Sequence, residues 1–297
     1  MGAIMILITG ASGNVGKAVL REAIRNGGDV RAMYRSDKDA ANAPSGCTTV
    51  IADYSDKLSL RVAVQGVDAA YVVCSPIPQL VEFESNMLDA CKESGVKHIV
   101  LNSALGAGDY TKSFPSWHRK VEDKLKATGM SYTILRPNGF LQNIATYNAS
   151  SIRAQGAFYA AMGDAKVSYL DVSDIAIVAV KALQGGSHAG KTYELNGPEA
   201  ISSAELARRI SRVAGRTVNF VDIPESAQRD AMLGLGMPEW QVTAILELQQ
   251  YYKMGGGAKT DGLLKSLIGR DPVTLDQYLD ANAGEFGNQA ASAGEGK

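Results

Sequence analysis

Three glycines, Gly10, Gly13 and Gly16, follow the apolar run Ile4-Met5-Ile6-Leu7-Ile8 and come just before a helical pattern that opens at Lys17. That spacing suits the grip of a pyrophosphate. Gly10 makes the tight turn, Gly13 lets the backbone approach the phosphates, and Gly16 lets the helix pack closely on the strand while its first amides face the anion. Ser12, Asn14 and Val15 lie in the same turn and helix start and count among the expected contacts. About 20 residues beyond the glycines, where an acidic side chain would take a ribose 2′-hydroxyl, the chain has Arg35. A guanidinium forks a phosphate with two charge-assisted hydrogen bonds, so the expected ligand is NADP(H) rather than NAD(H).

A second pair, His118 and Glu122, lies one helical turn apart. An imidazole with an ordinary pKa of about 6.5 can shuttle a proton at neutral pH, and a carboxylate on the same face can orient it. Ordinary short-chain dehydrogenases carry Tyr and Lys four residues apart on the helix after the fifth strand, the lysine lowering the phenol pKa for proton transfer. Here Phe114 and His118 occupy that spacing, and phenylalanine donates no proton. Tyr34 and Lys38 repeat the spacing but follow the second strand, at the adenosine end. Asp53 and Tyr54, after the third strand, can hydrogen-bond and cover an adenine edge, and a capped turn is the competing reading. Ser75 and Ser103 follow the fourth and fifth strands, at the edge where open parallel sheets bind ligands; turn chemistry accounts for them as readily.

These positions require an alternation of strands and helices. The glycine loop is preceded by a short β-branched run that reads as a buried parallel strand. Further strands are predicted near 29–35, 48–53, 69–74, 97–102, 131–136 and 191–196, with helices near 14–27, 56–66, 79–95, 115–128 and 173–184. The alternation is that of a doubly wound parallel sheet covered on both faces. Past residue 137 the pattern loosens into a helix at 140–153, a strand pair around 156–160 and 167–172, a capping box at Ser202–Glu205 and a mostly helical stretch over 224–285. The expected organisation is a Rossmann domain over 1–150, with 167–197 returning to it, and a smaller substrate-side lobe over 151–286. Residues 287–297, rich in Gly, Ala and Ser, read as a disordered tail.

Composition narrows the function classes. The 297 residues are 45% apolar with a net charge of −1, which supports a real core and supplies no broad positive field for nucleic acid or anionic lipid. Cys47, Cys74 and Cys91 form no paired motif, and His98, His118 and His188 have no ligand spacing, so no metal site is expected. No apolar stretch reaches the roughly 18 residues needed to span a bilayer. A first strand starting at residue 4 leaves no room for a cleaved leader, so the expected location is cytoplasmic.

Taken together, the segments Gly10-Ala11-Ser12-Gly13-Asn14-Val15-Gly16, Gly95-Val96-Lys97-His98-Ile99-Val100 and His118-Arg119-Lys120-Val121-Glu122 resemble the NmrA-like, atypical branch of the short-chain dehydrogenases. So do Ser131-Tyr132-Thr133-Ile134-Leu135-Arg136-Pro137 with Asn143, and Tyr193-Glu194-Leu195-Asn196-Gly197. The likeness runs from Ile4 to about Phe286 and is closest to type 2 quinone oxidoreductases and triphenylmethane dye reductases, which share the His-x-x-x-Glu pattern. In the isoflavone-reductase-like branch a lysine stands at the position of His118. The resemblance implies that His118 stands near the nicotinamide ribose, where a plain hydrogen bond to the ribose explains it as well as catalysis does, with Pro137 among the cofactor contacts. Trp117 and Phe140 read first as core. Phe140 stays a substrate-side candidate beside Asn143 and Tyr147, which share a helix face at i, i+4.

The leading expectation is an NADPH-dependent reductase that passes hydride to a quinone or other electron-poor conjugated acceptor. Such an acceptor delocalises the arriving charge and needs less help from an acid than an isolated ketone does. Two alternatives stand beside it: a non-catalytic NADP(H) sensor that binds a protein partner, and a reductase of an isolated carbonyl or carbon–carbon double bond. A small-molecule substrate is expected, with no nucleic acid or membrane partner, and a homodimer is compatible with the sequence.

Overall fold

The computed structural model describes residues 4–287, which divide into two compact units: residues up to Pro137 with Val172–Leu195, and Asn138–Asp171 with the chain from Asn196 onward. The first unit runs β1 (Met5–Ile8), α1 (Asn14–Arg25), β2 (Asp29–Tyr34), α2 (Asp37–Ala40), β3 (Thr48–Ile51), α3 (Lys57–Ala63), β4 (Ala69–Val72), α4 (Leu80–Glu93), β5 (His98–Asn102), α5 (Ser113–Thr128) and β6 (Ser131–Pro137). After an excursion it returns through α7 (Val172–Leu183) and β9 (Lys191–Leu195). The seven strands form one sheet in the order β3-β2-β1-β4-β5-β6-β9, every neighbouring pair parallel. This is the doubly wound fold that the alternation predicted.

Strands buried on both faces explain why β4 and β5 read as nearly unbroken apolar runs. One face is covered by α3, α4 and α5 through Leu60, Leu80, Met87, Val121 and Leu125, packed with Leu7, Met33 and Leu101. On the other face α1 packs against α7, whose buried Ile175, Val178 and Ala179 meet a helix that buries Val19 and Leu20.

The second unit contains α6 (Leu141–Gln155), β7 (Ala157–Ala160), β8 (Lys166–Val167), β10 (Ile201–Ser202), α8 (Ser203–Ala214), β11 (Asn219–Asp222), α9 (Glu225–Gly234), α10 (Glu239–Lys253), α11 (Leu263–Ile268), α12 (Leu275–Ala281) and α13 (Ala283–Phe286). Its core gathers Leu141, Ile144, Ile152, Phe158, Leu206, Ile210, Leu279 and Phe286.

Two local expectations are corrected here. The segments around 156–160 and 167–172 do not pair with each other: β7 pairs in parallel with β11, and β8 pairs antiparallel with β10. Short runs do not specify partners, and the polar ends of β11, Asn219 and Asp222, hid it from a hydrophobic pattern. The Ser202–Glu205 box forms one arm only. Ser202 Oγ accepts from the Glu205 amide at 3.2 Å, while the Glu205 carboxylate turns to Arg208 and Arg209. The two arginines offer a charged partner, which outweighs a neutral backbone amide. The predicted tail lies outside the described residues beyond Gly287. No helix among the described residues is long and apolar enough to cross a membrane, and no group of three or more His, Cys, Asp or Glu among them is placed to hold a metal ion.

Candidate active site

Because all seven strands are parallel, their carboxyl ends share one edge, and the chain reverses its direction of travel across the sheet between β1 and β4. Ligands of doubly wound sheets bind at this switch point. Thr9 ties the two strand ends together, donating through Oγ1 to the Tyr71 carbonyl at 3.0 Å and accepting from the Val73 amide at 2.9 Å. Gly10 has φ +59°, and a Cβ there would lie 2.8 Å from Val73 Cγ1. A Cβ at Gly16 would lie 2.2 Å from the Gly10 carbonyl oxygen, whereas at Gly13 the nearest atom is 3.4 Å away. The loop is thus closed beneath, where helix meets strand, and open at Gly13. Ser12, Gly13 and Asn14 are exposed, Val15 is buried, and α1 begins with no side-chain cap on its amides. These features fit a dinucleotide pyrophosphate.

Arg35 lies exposed just past β2. Asp53 accepts from the Ser55 amide at 2.7 Å and hydroxyl at 2.5 Å. Those bonds hold its carboxyl below the usual range, against a small rise from burial, and the Arg35 charge adds to the lowering. The Arg35 charge therefore reaches this carboxylate. Tyr54 donates its hydroxyl to the Val73 carbonyl at 2.9 Å and stacks on Phe83, so its polar end is spent within the unit. Ser75 is exposed after β4.

The group on α5 is arranged differently from the expectation. Glu122 is fully buried and faces Arg136 of β6 in a two-point fork, Nε to Oε1 at 2.9 Å and Nη2 to Oε2 at 2.7 Å. Ser103 donates its hydroxyl to Oε1 at 2.6 Å, so that donor is committed inside the fold. Burial alone would raise the Glu122 carboxyl, but the bonds from Arg136 and Ser103 and the charges of Arg136 and Lys126 keep it low. His118 is also buried, and its Nδ1 has no hydrogen-bond partner. Burial outweighs the opposing pull of Glu122 and takes the imidazole down to about 4. The expectation of an ordinary imidazole pKa is corrected: burial favours the neutral ring in the folded chain. Phe114 packs edge-on against Trp117, ring centroids 5.5 Å apart.

Pro137 is buried at the end of β6, and its carbonyl accepts from Leu105 at 2.9 Å. In the second unit, Phe140 caps α6 without a side-chain bond, Asn143 is half-buried and Tyr147 is 65% exposed. A cavity of about 900 Å³ opens on that unit, lined among others by Met162, Asp164, Lys166, Asp222 and Tyr252, and by none of Phe140, Asn143 and Tyr147. Sequence reasoning missed Arg136 as a member of the site. The signal was present, since a charged side chain in the apolar strand Thr133-Ile134-Leu135-Arg136 must find a buried partner.

A glycine turn at the switch point of a doubly wound sheet, with a phosphate-suited arginine after the second strand, defines a dinucleotide-binding protein of the short-chain dehydrogenase type. The NmrA-like family model matches residues 3–286, and the chain belongs to that family. An NAD(P)H azoreductase of Xenophilus azovorans is 34% identical over 291 residues, 95% of this chain and 99% of the relative. A (4-alkanoyl-5-oxo-2,5-dihydrofuran-3-yl)methyl phosphate reductase of Streptomyces griseus is 32% identical, with 95% and 99% covered. The crystal structure of an NADPH-dependent quinone oxidoreductase from Escherichia coli, complexed with NADPH, superposes with a TM-score of 0.86 at 28% identity, covering 94% of this chain and 99% of that one.

Proposed function

We propose that this protein reduces quinones or comparably electron-poor conjugated aromatic compounds with NADPH. The chain is an NAD(P)H-dependent oxidoreductase, and NADP(H) is its cofactor. When bound, NADPH supplies the hydride. The chain's own contribution begins at the glycine loop, whose amides take the pyrophosphate, and at Arg35, whose guanidinium takes the 2′-phosphate. His118 and the Ser103–Glu122–Arg136 cluster stand on the nicotinamide side, and Phe140, Asn143 and Tyr147 are assigned to the acceptor.

The observation that carries the choice of acceptor is the pairing of Phe114 with a buried, neutral His118. Neither side chain is a strong acid at pH 7, so a ketone whose oxygen needs a proton as hydride arrives would be poorly served. A quinone spreads the incoming charge and takes its proton from water, giving the hydroquinone. The chain then contributes mainly placement, which lowers a barrier by several kcal/mol when reacting atoms are held about 3–3.5 Å apart.

Purified protein with NADPH should turn over members of a panel of quinones, azo compounds and cationic dyes, and should leave simple ketones unreduced. Turnover of ketones alone, or tight NADPH binding with no oxidation by any acceptor, would overturn the reading. Arg35→Ala should raise KM for NADPH about 10- to 100-fold more than for NADH; equal effects would remove Arg35 from the phosphate site.

A further inference from the structure

Arg136 lies in a made-to-measure socket. From β6 its guanidinium reaches the segment after β5, where a Cβ at Gly108 would sit 2.6 Å from Nη1. That segment is pinned to α5 by Arg119, which donates to the carbonyls of Ala107 and Gly108 at 3.3 and 2.9 Å. Two of the Arg136 nitrogens are given to Glu122, and the third, Nη1, lies 3.7 Å from Glu194 of β9. Glu122 in turn lies one turn from His118, which has a buried nitrogen and no partner for it.

A carboxylate and an imidazole at i, i+4 on one face ordinarily find each other. Here they do not bond through Nδ1, although that nitrogen is unsatisfied. We propose that Arg136 is a positioning residue for His118: with Ser103 it claims both oxygens of Glu122, withholding the carboxylate from the imidazole and keeping the ring a neutral hydrogen-bonding group beside the cofactor. The proposal rests on the assignment of His118 to the nicotinamide side.

Other charges around α5 do not substitute for Glu122. Lys126 lies 3.6 Å from Glu122 on the same helix, Asp89 of α4 is taken by Lys124, and Asp123 is taken by Arg119. Asp109, after β5, acts on Arg136. Glu122 is the charged group whose field acts on His118. Freed from the fork, it would pull the ring toward the imidazolium.

The test is the titration of the His118 ring by NMR in the full-length protein with NADP⁺ bound, in wild type, Arg136→Met, Arg136→Lys and the double variant Arg136→Met/Glu122→Gln. Arg136→Met should raise the His118 midpoint by about 1–3 pH units, the size of shift an uncompensated neighbouring carboxylate produces. Arg136→Lys, which keeps a cation but engages only one oxygen, should raise it by less and carries the test if Arg136→Met does not fold. The double variant should return the midpoint to the wild-type value. No rise in either single variant, or a rise that persists without the Glu122 carboxylate, would overturn the proposal. Steady-state rates on the same proteins separate this from the assignment of His118. If the ring titrates as expected while kcat and its pH profile stay unchanged, Arg136 controls His118 but His118 lies outside the reaction. If the kcat profile moves with the ring while KM for NADPH holds, both stand.

Discussion

Glu84 and Glu122 lie in the same unit, both wholly buried, and the fold treats them in opposite ways. Glu122 has a guanidinium fork and a hydroxyl and is held charged. Glu84, on α4, has no side-chain partner and no cation, and burial among Tyr54, Tyr71 and Cys74 pushes its carboxyl well above the usual range against a weaker pull from the Cys74 backbone amide, so that burial favours its protonated form. A buried carboxyl escapes the cost of desolvation either by gaining a fully bonded cation or by keeping its proton. The chain uses the first solution beside His118, where a fixed charge can act on a neighbour. It uses the second within the apolar cluster under the sheet.

The contrast predicts a large difference in stability. Arg136→Met leaves the Glu122 charge buried and unpaired and should cost about 3–5 kcal/mol, read as a fall in denaturant midpoint at pH 7. A loss below about 1 kcal/mol would mean that Glu122 is no more committed to charge than Glu84, and the contrast would collapse.

The sheet and its dinucleotide edge were legible because they are local and periodic. Strand runs, helix periods and three glycines specify β1 to β6 and the switch point without reference to distant residues. The pairing of β7 with β11 was not legible, since it joins segments some sixty residues apart and rests on four-residue strands with polar ends. At the site, sequence gave the residue types and missed their partnerships. Ser103, Glu122 and Arg136 come from three different elements, so nothing in the spacing of His118 and Glu122 revealed that the carboxylate was already taken. The same limit applies to the imidazole, whose ordinary pKa holds only until burial is known.

That burial makes the next prediction. His118 has a folded pKa of about 4 against about 6.5 unfolded, so the unfolded chain binds more protons between those values. Its contribution to stability is complete above pH 6.5 and is lost as pH falls toward 4, by about 3 kcal/mol. His98 works in the same direction, its pKa lowered first by burial while its ring nitrogens meet Ser131 and Thr133 at 2.8 and 3.1 Å. Denaturant midpoints of wild type and His118→Asn, measured from pH 7.5 to 4, should converge as pH falls. Parallel curves would show that His118 is charged or solvated in the native state.

Glu84 should give the smallest effect, read at acid pH, and a slope of opposite sign. Its folded pKa lies above the unfolded value, so its contribution is complete below about pH 4.3 and is lost as pH rises through the folded value. Glu84→Gln keeps the shape and the neutral state, so below about pH 4.3 it should change stability by no more than about 1 kcal/mol, and it should gain steadily on wild type as pH rises from there toward 7. A loss of several kcal/mol at pH 7 would place a charge at Glu84 and require a cation that the fold does not offer it. A gain at position 84 beside a severe loss at Arg136 would show that this chain keeps one buried carboxyl charged through a bonded cation and the other protonated.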